Sequence, residues 1–135
     1  HLDLAKTHEI DSLAGSFMLV PFDVGEKLGW WDEIYFFYGE DIDFCYRIKE
    51  AGYKIYFVPM FRALHYKGIS SGIKSVSKDI TKATIETRKN ATHHRFLAME
   101  IFYNKHYKKK YPKVVTVLVL AGIKLERKLA ESKIK

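Results

Sequence analysis

Cysteine is almost missing from this chain of 135 residues: Cys45 stands alone. One thiol excludes an internal disulfide framework and any zinc site built on cysteines, and it favours a reducing, cytosolic setting. The opening HLDLAKTHEID has neither the apolar core nor the cleavage site of a secretory leader. With His1 in first place, that opening reads as a cut inside a longer protein. Long apolar runs are absent too. The best one, VVTVLVLAGI at 114 to 123, holds ten uncharged residues, well short of the roughly 20 that a membrane-spanning helix needs. There is no internal repeat. Acid is scarce in one region only: residues 88 to 135 carry 13 Lys/Arg against 3 Asp/Glu, a balance of +10, while residues 1 to 87 balance at −3. Basicity therefore belongs to the tail, where it suits an anionic partner or a solvated helical face.

What is present can fold. With 47% hydrophobic and 15% aromatic residues the chain is too apolar for a disordered tail. The run SLAGSFMLV at 12 to 20, ended by Pro21, predicts a buried strand. Asp23 can cap a short helix over Val24 to Leu28, stopped by Gly29. WWDEIYFFYG at 30 to 39 shows no clean period and reads as an aromatic loop. Acids at 40, 41 and 43 open a helix on the side its dipole prefers, Ala51-Gly52 closes it, and Asp43 and Arg47 are spaced to pair. YKIYFVP then predicts a strand halted by Pro59, with MFRALHY a second extended segment and KGISSGIKSVSKD a loop. Helical pattern runs from about Ile80 to Tyr111, is broken at Pro112, and resumes through the apolar run.

The stretch from Gly29 to Pro59, followed by His65, resembles family 2 glycosyltransferases, above all their rhamnosyltransferase-like and galactofuranosyltransferase-like members. The residues carrying the likeness are Gly29, Asp32, Glu33, Phe36, Glu40, Asp41, Asp43, Arg47 and Gly52, with Pro59 and His65 beyond. A bare Glu-Asp pair is no signal, but this ordered set is specific. The resemblance implies an α/β fold, the C-terminal part of a GT-A (Rossmann-like) catalytic domain, over 1 to 78, with a basic helical extension over 79 to 135.

Moving a sugar to an alcohol requires a base that takes the hydroxyl proton as the oxygen attacks the anomeric carbon. A carboxylate in the first turn of a helix is rigidly held and electrostatically favoured there. By resemblance Asp41 is that base, acting with inversion, and Glu40 supports it. Carboxylates accept hydrogen bonds from sugar hydroxyls and tryptophan can stack on sugar faces, so Asp32, Glu33, Trp31 and Asp43 are expected to bind the acceptor. The bland alternative is that these acids order the aromatic loop and offset the helix dipole.

In the family a histidine placed like His65 helps hold a divalent ion, Mn2+ or Mg2+, at the donor diphosphate. Such hard ions want mostly oxygen, and Asp41-Ile42-Asp43 has the Asp-X-Asp spelling but sits at the base position. The remaining ligands are therefore expected from a donor-binding half upstream, and the fragment alone is expected to be inactive. Lys67, Ser70 and Ser71 could close over the diphosphate. The implied partners are a nucleotide-sugar donor and a glycan or lipid-linked acceptor in bacterial surface polysaccharide synthesis. The tail would rest on the inner face of the cell membrane or form a homodimer. The rival readings are a non-catalytic binding module and an inactive relative. No RNA- or DNA-binding motif is legible in the tail, and nucleic acid is not an expected partner.

Overall fold

A computed structural model describes residues 3–61 and 83–134. The chain divides into two compact units, one of His1–Ile34 with Glu40–His65, the other of Tyr35–Gly39 with Tyr66–Lys135. The five residues Tyr35–Gly39, from the aromatic stretch, thus go with the tail rather than with their neighbours in sequence.

The first unit runs β1 (His8–Ile10), α1 (Phe22–Leu28), α2 (Glu40–Glu50) and β2 (Ile55–Phe57). The two strands pair antiparallel, with His8 opposite Phe57 and Ile10 opposite Ile55. Both helices end in the same way. Gly29 (φ 75°) and Gly52 (φ 86°) adopt the left-handed conformation. The next amide closes each turn backwards, Trp30 N–H to Gly25 O at 3.0 Å and Tyr53 N–H to Ile48 O at 3.1 Å. This is the Schellman arrangement that satisfies the last helical carbonyls.

The core of the unit is Phe44, Cys45 and Ile48 on one face of α2 against Ile55 of β2, flanked by Ile10, Leu13 and Trp30. Beside it lies an apolar groove of about 660 Å³, lined among others by Leu13, Phe17, Leu19, Val24 and Phe57.

The expected strand over 12 to 20 does not form. Residues 15 to 17 make a turn and the rest is irregular, with Phe17 55% and Leu19 84% exposed. The amide of Gly15 binds a side chain instead of a sheet neighbour. The strand next to β2 is supplied by His8–Ile10, a short segment with little apolar pattern. Asp23 sits in the first turn of α1 without capping it, and Pro21 holds the N-cap position.

In the second unit α3 (Ile85–His106) and α4 (Lys113–Ser132) pack on one another. Thr84 caps α3, its hydroxyl accepting from Thr87 N–H at 3.1 Å. Pro112 starts α4, where its missing N–H costs no helical bond. Tyr103 Oη and Thr116 Oγ1 share a buried hydrogen bond of 3.2 Å. His93 Nδ1 lies 3.9 Å from Glu131 at the other end, so the helices run antiparallel. Phe96, Ala98 and Tyr103 are buried on α3. Tyr35, under the Lys105 ammonium, and Phe36, against the His94 ring, belong to this unit.

Candidate active site at the start of helix α2

Glu40, Asp41 and Asp43 occupy the first turn of α2, immediately after Gly39, whose φ of 92° a side chain would rarely tolerate. The turn gives the three carboxylates different surroundings.

Asp41 is partly exposed and held at both oxygens. Oδ2 accepts the Gly15 N–H at 3.0 Å, and Oδ1 accepts the Ile42 N–H at 2.8 Å. Glu40 is half-buried, with Oε2 covered and without a hydrogen-bond partner. Burial pushes its carboxyl above the usual range, and the adjacent Asp41 charge adds to the effect.

Asp43 corrects an expectation. The sequence pattern groups it with the acceptor-binding residues, but it is 0% exposed and its Oδ2 takes the Arg47 Nε–H at 2.7 Å. The same guanidinium donates to Leu28 O and, at 2.6 Å, to Trp30 O. Its plane also lies over the Phe44 ring. Asp43 and Arg47 therefore pin the end of α1 and the Gly29-Trp30 corner to α2; a buried acid paired in this way has no face left for a sugar.

The corner itself is strained. Trp30 has φ 53°, in the left-handed region, a conformation that costs a non-glycine residue on the order of 1–3 kcal/mol. Several contacts hold it there: the Arg47 bond to its carbonyl, an Nε1–H bond to Glu26 at 2.6 Å, and ring contacts with Phe22 and Phe44. Its indole covers Gly25 so closely that an added Cβ would fall 2.3 Å from the ring.

Trp31, next along, is 41% exposed and meets Phe44 edge-on at 4.3 Å. Asp32 Oδ1 accepts the Ile34 N–H at 3.0 Å, an Asx turn that shapes the loop, and Glu33 is exposed. Both loop-ordering and accessible acids thus occur in one stretch. Cys45 is buried, and burial raises its thiol above the ordinary value, as suits a small core residue.

His65, Lys67, Ser70 and Ser71 lie outside the described residues. Among the described residues no three His, Cys, Asp or Glu side chains cluster as metal ligands. The described carboxylates do not by themselves make the divalent site. Two residues matter here more than their sequence context suggests. Gly15 lies in a run that reads as a strand, although a glycine inside an apolar run is itself a sign of close backbone approach. Arg47 is legible in sequence as part of the family pattern and as the partner of Asp43, but not as the anchor of the Leu28 and Trp30 carbonyls.

Comparison with known proteins agrees with this region. The family described as "Glycosyl transferase family group 2" matches residues 5–89. Rhamnosyltransferase WbbL of Escherichia coli (strain K12) is 47% identical over 57 residues, which is 42% of this chain and 22% of that protein. N-acetylglucosaminyl-diphospho-decaprenol L-rhamnosyltransferase of Mycobacterium tuberculosis, from strain CDC 1551 / Oshkosh and from strain H37Rv, is 40% identical over 60 residues, covering 44% of this chain and 20% of that protein. The matched segment spans about a fifth of the length of these curated relatives. No solved structure matches. With the family matched across more than half of the chain, through the loop and helix that carry Asp32, Glu33, Glu40 and Asp41, this protein belongs to glycosyl transferase family group 2 and is rhamnosyltransferase-like.

Proposed function

We propose that these residues form the acceptor-side part of an inverting glycosyltransferase of GT-A type, in which Asp41 is the general base. An acceptor hydroxyl lies against Asp41; its proton passes to the carboxylate as the oxygen bonds to the anomeric carbon, and the bond from that carbon to the nucleoside diphosphate breaks. The single observation that carries this reading is the different treatment of three adjacent acids. Asp41 is held but accessible, Glu40 is half-buried beside it, and Asp43 is used up in an ion pair. Glu40, with Oε2 unpartnered and its carboxyl raised by burial, is the supporting group beside Asp41. Trp31, Asp32 and Glu33 flank the acceptor, with Trp31 partly exposed.

The names of the relatives support rhamnose as the sugar, and that of the Mycobacterium tuberculosis enzyme supports a lipid diphosphate-linked acceptor; a place in bacterial surface polysaccharide synthesis, at the cytoplasmic side of a membrane, belongs to the proposal. Donor binding, with a divalent ion held in part by His65 and with Lys67 and Ser70 near the diphosphate, belongs to the same proposal. It places the upstream donor half outside these 135 residues, in keeping with the short share of the relatives that is matched.

A membrane role is proposed for α4. No described helix is long and apolar enough to cross a bilayer. Yet Val114, Val117, Leu118 (67% exposed), Leu125 (59% exposed) and Leu129 form one outward stripe, with Lys113, Lys124 and Lys128 exposed along it. That is the pattern of a helix lying in an anionic interface.

The test is Asp41→Asn in the full-length protein, assayed with a nucleotide-linked rhamnose and a lipid diphosphate-linked glycan. Turnover is expected to fall by about 10²- to 10⁴-fold, the usual worth of a general base, with donor affinity retained. Unchanged turnover removes Asp41 from the role.

A further inference from the structure

Gly15 and Asp41 are 26 residues apart in sequence, yet the Gly15 amide donates to Asp41 Oδ2 at 3.0 Å. The approach is close enough that the missing side chain matters. A Cβ on Gly15 would stand 3.3 Å from Asp41 Cβ and 3.9 Å from Oδ2, so the aspartate would have to yield by a few tenths of an ångström. The backbone of Gly15 is not left-handed, since the positive-φ glycines among the described residues are Gly29, Gly39 and Gly52. The glycine is required for space, not for conformation. With Oδ1 on the Ile42 amide and Oδ2 on Gly15, the carboxylate plane is fixed at both ends. The segment carrying Gly15 is a turn rather than a strand, which leaves its N–H free of sheet pairing and able to reach the helix.

We propose that Gly15 is a positioning residue for Asp41: its amide sets the orientation of the carboxylate toward the acceptor hydroxyl, and its lack of a side chain lets the turn come near enough to do so. The inference rests on Asp41 acting as the base. A proton acceptor works only within hydrogen-bond reach of the attacking hydroxyl, and misplacement by about 1 Å can cost on the order of a hundredfold in rate. Gly15→Ala shifts the aspartate by less than that, without removing its charge.

The experiment uses the full-length protein in four forms: wild type, Gly15→Ala, Asp41→Asn and the double variant. Gly15→Ala is expected to lower kcat by about tenfold, with donor and acceptor KM little changed. The double variant should be no slower than Asp41→Asn alone, because a misplaced base costs nothing once the base is gone. Losses that multiply, or a kcat in Gly15→Ala equal to wild type, overturn the proposal.

A second readout does not depend on turnover. The Gly15 amide proton, followed by NMR with selective glycine labelling, is expected to move upfield in Asp41→Asn as a charge-assisted bond weakens. An amide that ignores the substitution shows that the contact is not made and overturns the proposal directly. An Asp41→Asn protein that keeps full turnover while the Gly15 amide moves shows a different failure: the contact stands, but Asp41 is not the base and Gly15 positions nothing catalytic.

Discussion

The Arg47 guanidinium bonds at once to the Asp43 carboxylate and to the carbonyls of Leu28 and Trp30, so one side chain joins α2 to the end of α1. Asp43 is fully buried and the Arg47 side chain is 19% exposed. Removing one member leaves an uncompensated charge inside. Asp43→Ala is expected to destabilise the protein by about 3 kcal/mol, in the range of broken buried pairs. Arg47→Lys should recover little of the stability, because an ammonium cannot reach three acceptors in a plane. Denaturant titration of both variants measures this, and a loss in Asp43→Ala near that of an exposed pair would show that the pair is not a structural anchor.

Glu40 predicts an inverse relation between stability and pH. Its carboxyl is raised by burial, so the folded chain holds a proton that the unfolded chain gives up near the ordinary value of 4.5. Between that value and the higher folded one the native state binds more protons, and stability falls as pH rises. Glu40→Gln abolishes the slope. The variant is expected to melt higher than wild type at pH 7 and to match it near pH 4. Equal melting temperatures at both pH values would remove Glu40 as a destabilised acid.

Gly25→Ala tests the strained corner. A Cβ there would lie 2.3 to 2.4 Å from the Trp30 ring, which cannot be accommodated without moving the indole. A loss of about 1–3 kcal/mol is expected, as for other overpacked sites, against the gain that Ala normally brings inside a helix. A stabilised variant would mean that Trp30 is not seated on α1.

The α4 stripe predicts binding to vesicles that contain anionic lipid, weakening as salt is raised. Leu118→Asp with Leu125→Asp is expected to abolish co-sedimentation, and Lys124→Gln with Lys128→Gln to weaken it by roughly 30-fold, at about 1 kcal/mol per cation. If the full-length protein ignores such vesicles and the Leu variants instead turn a dimer into a monomer, the stripe is a subunit interface.

Much of α1 and α2 is legible in the amino-acid order alone. The cause is local chemistry: Gly29 and Gly52 end their helices by conformation alone, and acids in the first turn of α2 announce its direction. The strand expected over 12 to 20 fails because apolar content measures burial, not pairing, and this segment gives its Gly15 amide to a carboxylate across the unit. Period gives no warning that His8–Ile10 takes the place beside β2, since three residues are too few to carry one. In the site, the identity of Asp41 comes from the ordered family pattern. The fate of Asp43 does not, because spacing alone cannot tell a surface i, i+4 pair from one whose acid is fully buried.

Both tryptophans of the chain stand at the corner that Arg47 secures, and the helical tail has none. Trp30 is packed between Phe22 and Phe44 with its N–H on Glu26, while Trp31 is partly open to water. Indole emission is therefore a built-in optical report on the first unit alone. A red shift on titration with denaturant would follow release of the corner from α2, with α3 and α4 spectrally silent at that wavelength. Circular dichroism, dominated by the 22 and 20 residues of those two helices, would follow the other unit in the same sample.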